Sequence, residues 1–321
     1  MKKILYHIVY ALWYLLSLLP LWVHYMLSDI VYLIVYRLLH YRVRIVRMNM
    51  EKSFPDKTED ERRQIEKDFY HWFCDYLVET VKLMTISEKQ LKRRMVFKGT
   101  EVVDQCVADG QSCAVFLGHY CNWEWITSLP LWVSEKAQCG QIYHALENPE
   151  FDRLFLRLRQ RFGAVCIPMA ETLRRLVKYK HDGRPVVIGY ISDQTPFWNN
   201  IHHWLTFLNQ DTPVLTGTER LATQTGHAVF YMDVHRIKRG YYEAEFKLIT
   251  REPKKMKEFE ITDIYFRMLE ETIQQDPAPW LWTHNRWKRT HEEFNIRFDP
   301  ATGRVSLDPD LEKLKRERGF A

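Results

Sequence analysis

Glycine and proline are scarce in this chain, at 12 and 13 of 321 residues. That leaves no room for long flexible linkers or low-complexity tracts, and no internal repeat is present, which excludes repeat architectures. Six cysteines (Cys74, Cys106, Cys113, Cys121, Cys139, Cys166) form no CxxC pair and keep no regular spacing. A disulfide framework is thereby excluded, and the thiols read as reduced and structural. Neither His202-His203 nor the His119/Cys121 pair has further ligands at a recognisable spacing, so no metal site and no cofactor is expected. The net charge is only +5, with the cations in separate patches: RVRIVR (42–47), KRR (92–94), RIKR (236–239), RWKR (286–289) and KLKRER (313–318). Such scatter does not make a nucleic-acid footprint; with the N-terminus it suggests an anionic membrane surface or acidic ligands.

What is abundant is aromatic and apolar: 11 Trp, 17 Tyr and 17 Phe, and one long run near the start. ILYHIVYALWYLLSLLPLWV (4–23) contains no Asp, Glu, Lys or Arg, only His7, and follows Lys2-Lys3. Its length suits a bilayer crossing, and the missing small-residue cleavage site argues against a signal peptide. A second run, IVYLIVY (30–36), leads into Arg37. Pro20 should kink the segment, so a single span and a re-entrant or interfacial anchor both stay open. Cations flank both ends, and topology is not fixed by them. The expected organisation is an anchor with a basic flank over 1–47 and one domain over 48–321.

That domain reads as alternating helices and strands. Thr58-x-x-Glu61 is a capping box opening a helix to about Lys82, and Ser87-x-x-Gln90 opens a shorter one. EVVDQCVADG reads as a helix stopped by Gly110, and SCAVFLG (112–118) as a buried strand. NWEWITSLPLWV is expected to be helical, CGQIYHAL (139–146) a strand, and FDRLFLRLRQRFG (151–163) an amphipathic helix. A strand at AVCIPM, a helix at ETLRRLVKYK, a buried strand at RPVVIGYIS (184–192) and a helix at VLTGTERLATQTG (214–226) follow. AVFYMDVHRI and YYEAEFKLI flank Lys238-Arg239-Gly240 as a hairpin. The fold class is therefore α/β: a largely parallel central sheet, flanking helices, an antiparallel hairpin and an N-terminal hydrophobic anchor helix.

In such sheets ligands bind at the carboxyl ends of strands, which is where GHYCNWEW (118–125) puts His119. Glu124 lies five positions on. On a straight helix the two would sit roughly 140° apart and on a straight strand they would face opposite ways, so they meet only if the chain turns. A carboxylate on one imidazole nitrogen fixes the tautomer and frees the other nitrogen as a general base, a pairing suited to deprotonating an alcohol that attacks an activated acyl group. The spacing by itself is a weak signal, because 41 of 321 residues are acidic and His24 to Asp29 repeats it inside the apolar segment. Trp123 and Trp125 are equally compatible with packing.

GHYCNWEW resembles the Gly-His-x-x-Asn-Trp-Glu signature of the lipid A biosynthesis (lauroyl/myristoyl) acyltransferases, within the wider membrane acyltransferases that share His-x4-Asp/Glu. It matches at Gly118, His119, Asn122, Trp123 and Glu124. NMEKSFPDKTEDERRQI (49–65), RQRFGA (159–164), SDQ (192–194), TGTERLATQTGHAVFYMDVHR and WLWTHNRWK (280–288) resemble further segments of that family. The resemblance implies fatty acyl transfer from acyl carrier protein to a hydroxyl of a glucosamine-based lipid A precursor, at the cytoplasmic face of the bacterial inner membrane. It implies His119 as base and Glu124 as its orienting carboxylate. Arg161 would meet a phosphate or the developing oxyanion. Asp193 and Gln194 would line the pocket with Asn122 and Trp123, and Arg159 is a further neighbour. FLNQDTP (207–213) departs from the family by placing Asn209 and Gln210 where an aromatic-Gly pair is usual. Rival expectations are another glycolipid or glycerophospholipid acceptor, a metal-dependent hydrolase using His119 and Glu124 as ligands, and a lipid-binding protein without activity.

Overall fold

Five consecutive residues, Cys113–Leu117, are all buried and form the central strand of a seven-stranded sheet. A strand covered on both faces has no solvent side, so its sequence runs apolar without alternation. The computed structural model describes residues 2–320. The sheet strands are β1 (Met95–Lys98), β2 (Cys113–Leu117), β3 (Gln138–Tyr143), β4 (Val165–Pro168) and β5 (Val186–Ile191), with β8 (Ala228–Lys238) and β9 (Tyr241–Thr250). Between β5 and β8 a separate hairpin forms from β6 (Trp204–Phe207) and β7 (Gln210–Pro213). The sheet order is β1-β9-β8-β2-β5-β3-β4; β8 and β9 pair antiparallel and every other neighbour pair is parallel.

The α-helices are α1 (Lys2–Leu18), α2 (Leu21–Tyr32), α3 (Val43–Ser53), α4 (Glu59–Lys82), α5 (Glu88–Arg94), α6 (Thr100–Ala108), α7 (Pro149–Arg159), α8 (Thr172–His181), α9 (Gly217–Thr225) and α10 (Glu260–Gln275), with α11 (His291–Arg297) and α12 (Leu311–Arg318) after them. Both expected caps are present: Thr58 and Glu61 form the reciprocal capping box of α4, and Ser87 accepts from the Gln90 amide at α5. The segment expected to be helical after Glu124 is instead a 3-10 helix, Trp125–Leu131. Pro130 inside it has no N–H to give and its ring disfavours a longer α-helix. The strand expected over 139–146 stops at Tyr143.

The N-terminal run differs from expectation in extent. Rather than one stretch over 4–23, the helix breaks at Leu19-Pro20. α2 then runs on as a π-helical turn, Leu33–Leu38, and the stretch long and apolar enough to cross a membrane is Leu21–Leu38. Trp22, Met26, Ile30 and Leu33 form an exposed apolar stripe along it. Its other side docks on α4: Ser28 donates to Asp75 (2.6 Å), Tyr25 to Glu79 (2.9 Å) and Tyr36 to Glu66 (2.8 Å). The β8–β9 turn closes over the same place, where Arg239 pairs with both Asp29 and Asp75. Gly240 there has φ +73°, and a Cβ on it would fall 1.8 Å from the Tyr25 hydroxyl, so both conformation and space call for glycine. The His24/Asp29 spacing is thus part of this docking: His24 is buried beside the Pro20 carbonyl and Asp29 answers Arg239.

Candidate active site

Strands β2 and β5 are parallel neighbours with Leu117 opposite Ile191. Extending that register past both strand ends sets Gly118 against Ser192 and His119 against Asp193. The two side chains therefore meet because each stands at the same step beyond its own strand. Asp193 accepts the His119 backbone N–H at 2.9 Å and its Nδ1 at 2.7 Å. A Cβ on Gly118 would lie 3.4 Å from Asp193 Oδ2 and 3.0 Å from Leu269 Cδ1, so glycine is what lets α10 and the carboxylate close in at this step.

A carboxylate only accepts hydrogen bonds, so Nδ1 carries the proton and the lone pair is on Nε2. Gln194 faces that lone pair, its side-chain nitrogen 3.2 Å from Nε2. Asp193 is only 2% exposed, and burial by itself favours its neutral form. The adjacent His119 and the N–H donors outweigh this and hold the carboxyl down at about 2.

A segment from the far end of the chain straps the pair in place. Pro279 accepts the Cys121 amide (2.8 Å), Trp280 donates its indole N–H to Asp193 (2.8 Å), and the Leu281 amide donates to the His119 carbonyl (3.1 Å). Asn49 of α3 ties the strap down by donating to the Trp282 and His284 carbonyls, both at 2.9 Å. Burial lowers His284 to about 4, so it stays neutral and can accept from Thr195. Nothing in the local sequence marks Trp280 as a partner of Asp193, since the two stand 87 positions apart along the chain and only the fold brings them together.

The expected bond between His119 and Glu124 is replaced by another arrangement. Asp193 occupies Nδ1, while both Glu124 oxygens accept from Arg159 of α7, at 2.6 and 2.9 Å. After His119 the chain turns tightly, with Cys121 at φ +52°, which sends Glu124 towards α7. Burial opposes charge on Arg159, but the Glu124 contact more than offsets it and raises the guanidinium's pKa. Asn122 is buried; it accepts the Trp125 amide and donates to Glu79 at 2.6 Å, holding the turn's shape. Trp123 meets the His119 ring edge-on, centroids 5.1 Å apart, and packs on Tyr76 at 4.1 Å. Arg161 stands apart from the histidine: it is exposed and donates to the Leu83 carbonyl at 2.7 Å. Asn209 donates to the Ser53 carbonyl and Gln210 to the Ser53 hydroxyl, which puts the departing FLNQDTP segment against the end of α3.

Glu79 is a residue that sequence reasoning missed. Fully buried, it accepts from Tyr25, Asn122 and Tyr242, and burial followed by the nearby Asp75 charge raises its carboxyl to about 7. No cluster of three metal-ligating side chains occurs among the described residues.

Residues 1–289 match the family model described as bacterial lipid A biosynthesis acyltransferase. The chain belongs to that family. It is 22% identical over 198 residues to a lipid A biosynthesis acyltransferase of Haemophilus influenzae, a stretch covering 61% of each protein. It is 21% identical over 118 residues to a lipid A biosynthesis myristoyltransferase of Escherichia coli, covering 36% of this chain and 35% of that protein. The matched stretches thus span less than two thirds of the first relative's length and about a third of the second's. An imidazole whose Nδ1 is held by a buried carboxylate has an Nε2 that can accept a proton.

Proposed function

We propose that this protein transfers a fatty acyl chain from acyl carrier protein to a hydroxyl of a glucosamine-based lipid A precursor. The observation that carries the proposal is the His119–Asp193 hydrogen bond, which leaves Nε2 as a base on the rim of the sheet. His119 Nε2 takes the proton of the acceptor hydroxyl as its oxygen attacks the thioester carbonyl. The tetrahedral intermediate then collapses, the C–S bond breaks, and the thiolate leaving group takes the proton from the imidazolium. Asp193 keeps the imidazole in the productive tautomer and stabilises its charged form. The Gln194 amide, now on Nε2, marks where the acceptor O–H would donate.

Glu124 enters through Arg159: the buried pair braces the turn that aims His119, and Asn122 and Trp123 shape the same turn. Arg161, an exposed residue two positions beyond Arg159 whose guanidinium also donates to the Leu83 carbonyl, is assigned to an acceptor phosphate. The apolar stripe on Leu21–Leu38 would hold the enzyme on the cytoplasmic face of the inner membrane, where both substrates are found.

The test is mass spectrometry of lipid products after purified protein meets a mixed acyl-carrier-protein pool and an incompletely acylated lipid A precursor, beside His119→Ala. A gain of one acyl mass with wild type alone supports the assignment and identifies the chain. Equal transfer by folded His119→Ala rejects the base. No gain with this acceptor, but gain with another glycolipid or glycerol phosphate, moves the acceptor and keeps the chemistry.

A further inference from the structure

The carboxyl end of the sheet's β3–β4 edge carries apolar side chains that nothing in the fold covers. Tyr143 and Pro168 are register partners at the ends of β3 and β4, so the segments that follow leave the sheet side by side. They leave at the same end of the sheet as His119. Leu146 (45% exposed) and Phe151 (38%) lie beyond β3; Met169 (61%), Leu173 (49%) and Val177 (54%) lie beyond β4. Leu146 and Met169 stand in the segments just past the strands, Phe151 in the first turn of α7, and Leu173 and Val177 on α8; single exposed apolar residues are ordinary, and it is a group of them that marks a contact surface.

Two further observations say what covers this rim. α8 buries Thr172 and Leu176, presents Leu173 and Val177 one turn apart, and exposes Arg174, Arg175, Lys178, Lys180 and His181, with no acidic residue of its own. The flanking Glu171 is occupied by Arg174 and Arg175. An apolar stripe edged by cations is the composition of a helix lying in a bilayer interface with anionic headgroups. The rim also continues into α1: Phe155 of α7 meets Trp13 edge-on at 6.0 Å, and Arg157 donates to the Tyr10 hydroxyl at 2.9 Å. α1 itself exposes Ile8, Leu12 and Leu15.

We propose that Leu146, Phe151, Met169, Leu173 and Val177, with the cations of α8, form a second membrane-contacting surface that rests on an anionic phospholipid bilayer. It deepens the lipid-acceptor reading by bringing the bilayer to the rim where His119 stands. Its readout is insertion depth, not turnover, so either idea can fail while the other stands.

The full-length chain, carrying Cys166→Ser, is labelled with an environment-sensitive fluorophore at Leu173→Cys and placed in nanodiscs of phosphatidylcholine with or without phosphatidylglycerol. Leu248→Cys is the control: Leu248 is exposed on β9, opposite Phe230 near the start of β8, and so at the other end and other side of the sheet. The expected result is blue-shifted emission at 173, quenched by spin-labelled lipid, stronger with phosphatidylglycerol and weakened by salt, with water-like emission at 248. Arg174→Gln and Lys178→Gln should each lower the ratio of inserted to exposed probe by about fivefold in the anionic discs. Water-like emission at 173 in both discs overturns the proposal, as does equal quenching at 248. A shift seen only on adding the acidic acyl carrier protein assigns the rim to that protein instead. A shift in detergent that grows with protein concentration and ignores lipid assigns it to a second copy.

Discussion

Replacing Asp193 by Asn removes one oxygen and the charge from a carboxylate that accepts three N–H groups, at 2.7, 2.8 and 2.9 Å. The amide cannot satisfy all three, because its NH2 end must face a donor in either orientation. His119 is then free to adopt the other tautomer, with Nε2 protonated and useless as a base. The carboxyl's fall from 3.8 to about 2, net of the burial that opposes it, corresponds to a preference for the ionised form on the order of 2 kcal/mol. Loss of comparable support for the imidazolium in the transition state would slow transfer by roughly 10- to 100-fold, at 1.36 kcal/mol per decade. The wrong tautomer adds to this, and the equivalent change in the serine protease triad costs on the order of 10⁴ in kcat. We therefore expect Asp193→Asn to lower kcat by about 10² to 10⁴ with little change in KM. The assay is initial-rate transfer by the purified protein, with circular dichroism to confirm folding. The sign for stability follows separately. A depressed carboxyl pKa stabilises the fold fully above about 3.8 and loses that contribution as pH falls towards about 2. Wild-type melting should accordingly fall more steeply with acid in that window than that of Asp193→Asn. Transfer by Asp193→Asn within tenfold of wild type, beside a thousandfold loss in Glu124→Gln, would refute the pairing and return the orienting role to Glu124.

Glu124→Ala should destabilise the protein by about 3 kcal/mol in denaturant melts, because it leaves Arg159 largely buried without its partner, and Glu124→Gln with Arg159→Met should regain most of that loss. A double variant no more stable than Glu124→Ala would sink the bracing role. Glu79, raised from 4.5 to about 7, favours the fold when protonated, so its contribution is present below about 4.5 and lost as pH rises through about 7. Melting of wild type should thus weaken between about pH 4.5 and 7 relative to Glu79→Gln, by on the order of 3 kcal/mol; parallel pH profiles would contradict it. Gly118→Ala should lower kcat more than KM, since its methyl would press on Leu269 and Asp193, and Leu269→Ala should restore part of the loss. No rescue would mean that the crowding lies elsewhere. Chelators should leave transfer unchanged, and inactivation reversed by a divalent metal would favour the hydrolase reading.

Much of the fold was legible because its signals are local. Thr58 with Glu61, Ser87, the turn at Arg239-Gly240 and the uninterrupted apolar run of Cys113–Leu117 each act over a few residues, and each shaped the chain as expected. His119 at a strand end followed from the same kind of signal. Its partner did not. Proximity in sequence favoured Glu124, while proximity in space was decided by β2 and β5 becoming neighbours, a fact that no window along the chain contains. The clue lay in the shared arrangement, an apolar strand followed one residue later by His119 in one case and Asp193 in the other, but it has meaning only once the strand order is known. Trp280 and Glu79 were hidden for the same reason, as was the pairing of Arg159, expected only as a neighbour of the pocket, with Glu124, since each acts across contacts far apart in the chain. The apolar N-terminal run misled in extent because composition counts residues, whereas Pro20 divides them.

The strap over the active site bears on how the protein comes into being. His119 is made early and Asp193 midway, but Pro279, Trp280 and Leu281 emerge from the ribosome late. Until they do, the Asp193 carboxylate lacks its indole donor and the His119 carbonyl its amide. Helices α1 and α2, by contrast, precede both side chains in sequence, and their contacts with α4 can form while the strap is still missing. A protein truncated upstream of Pro279 would keep that docking yet lack the bonds that order the His119–Asp193 pair.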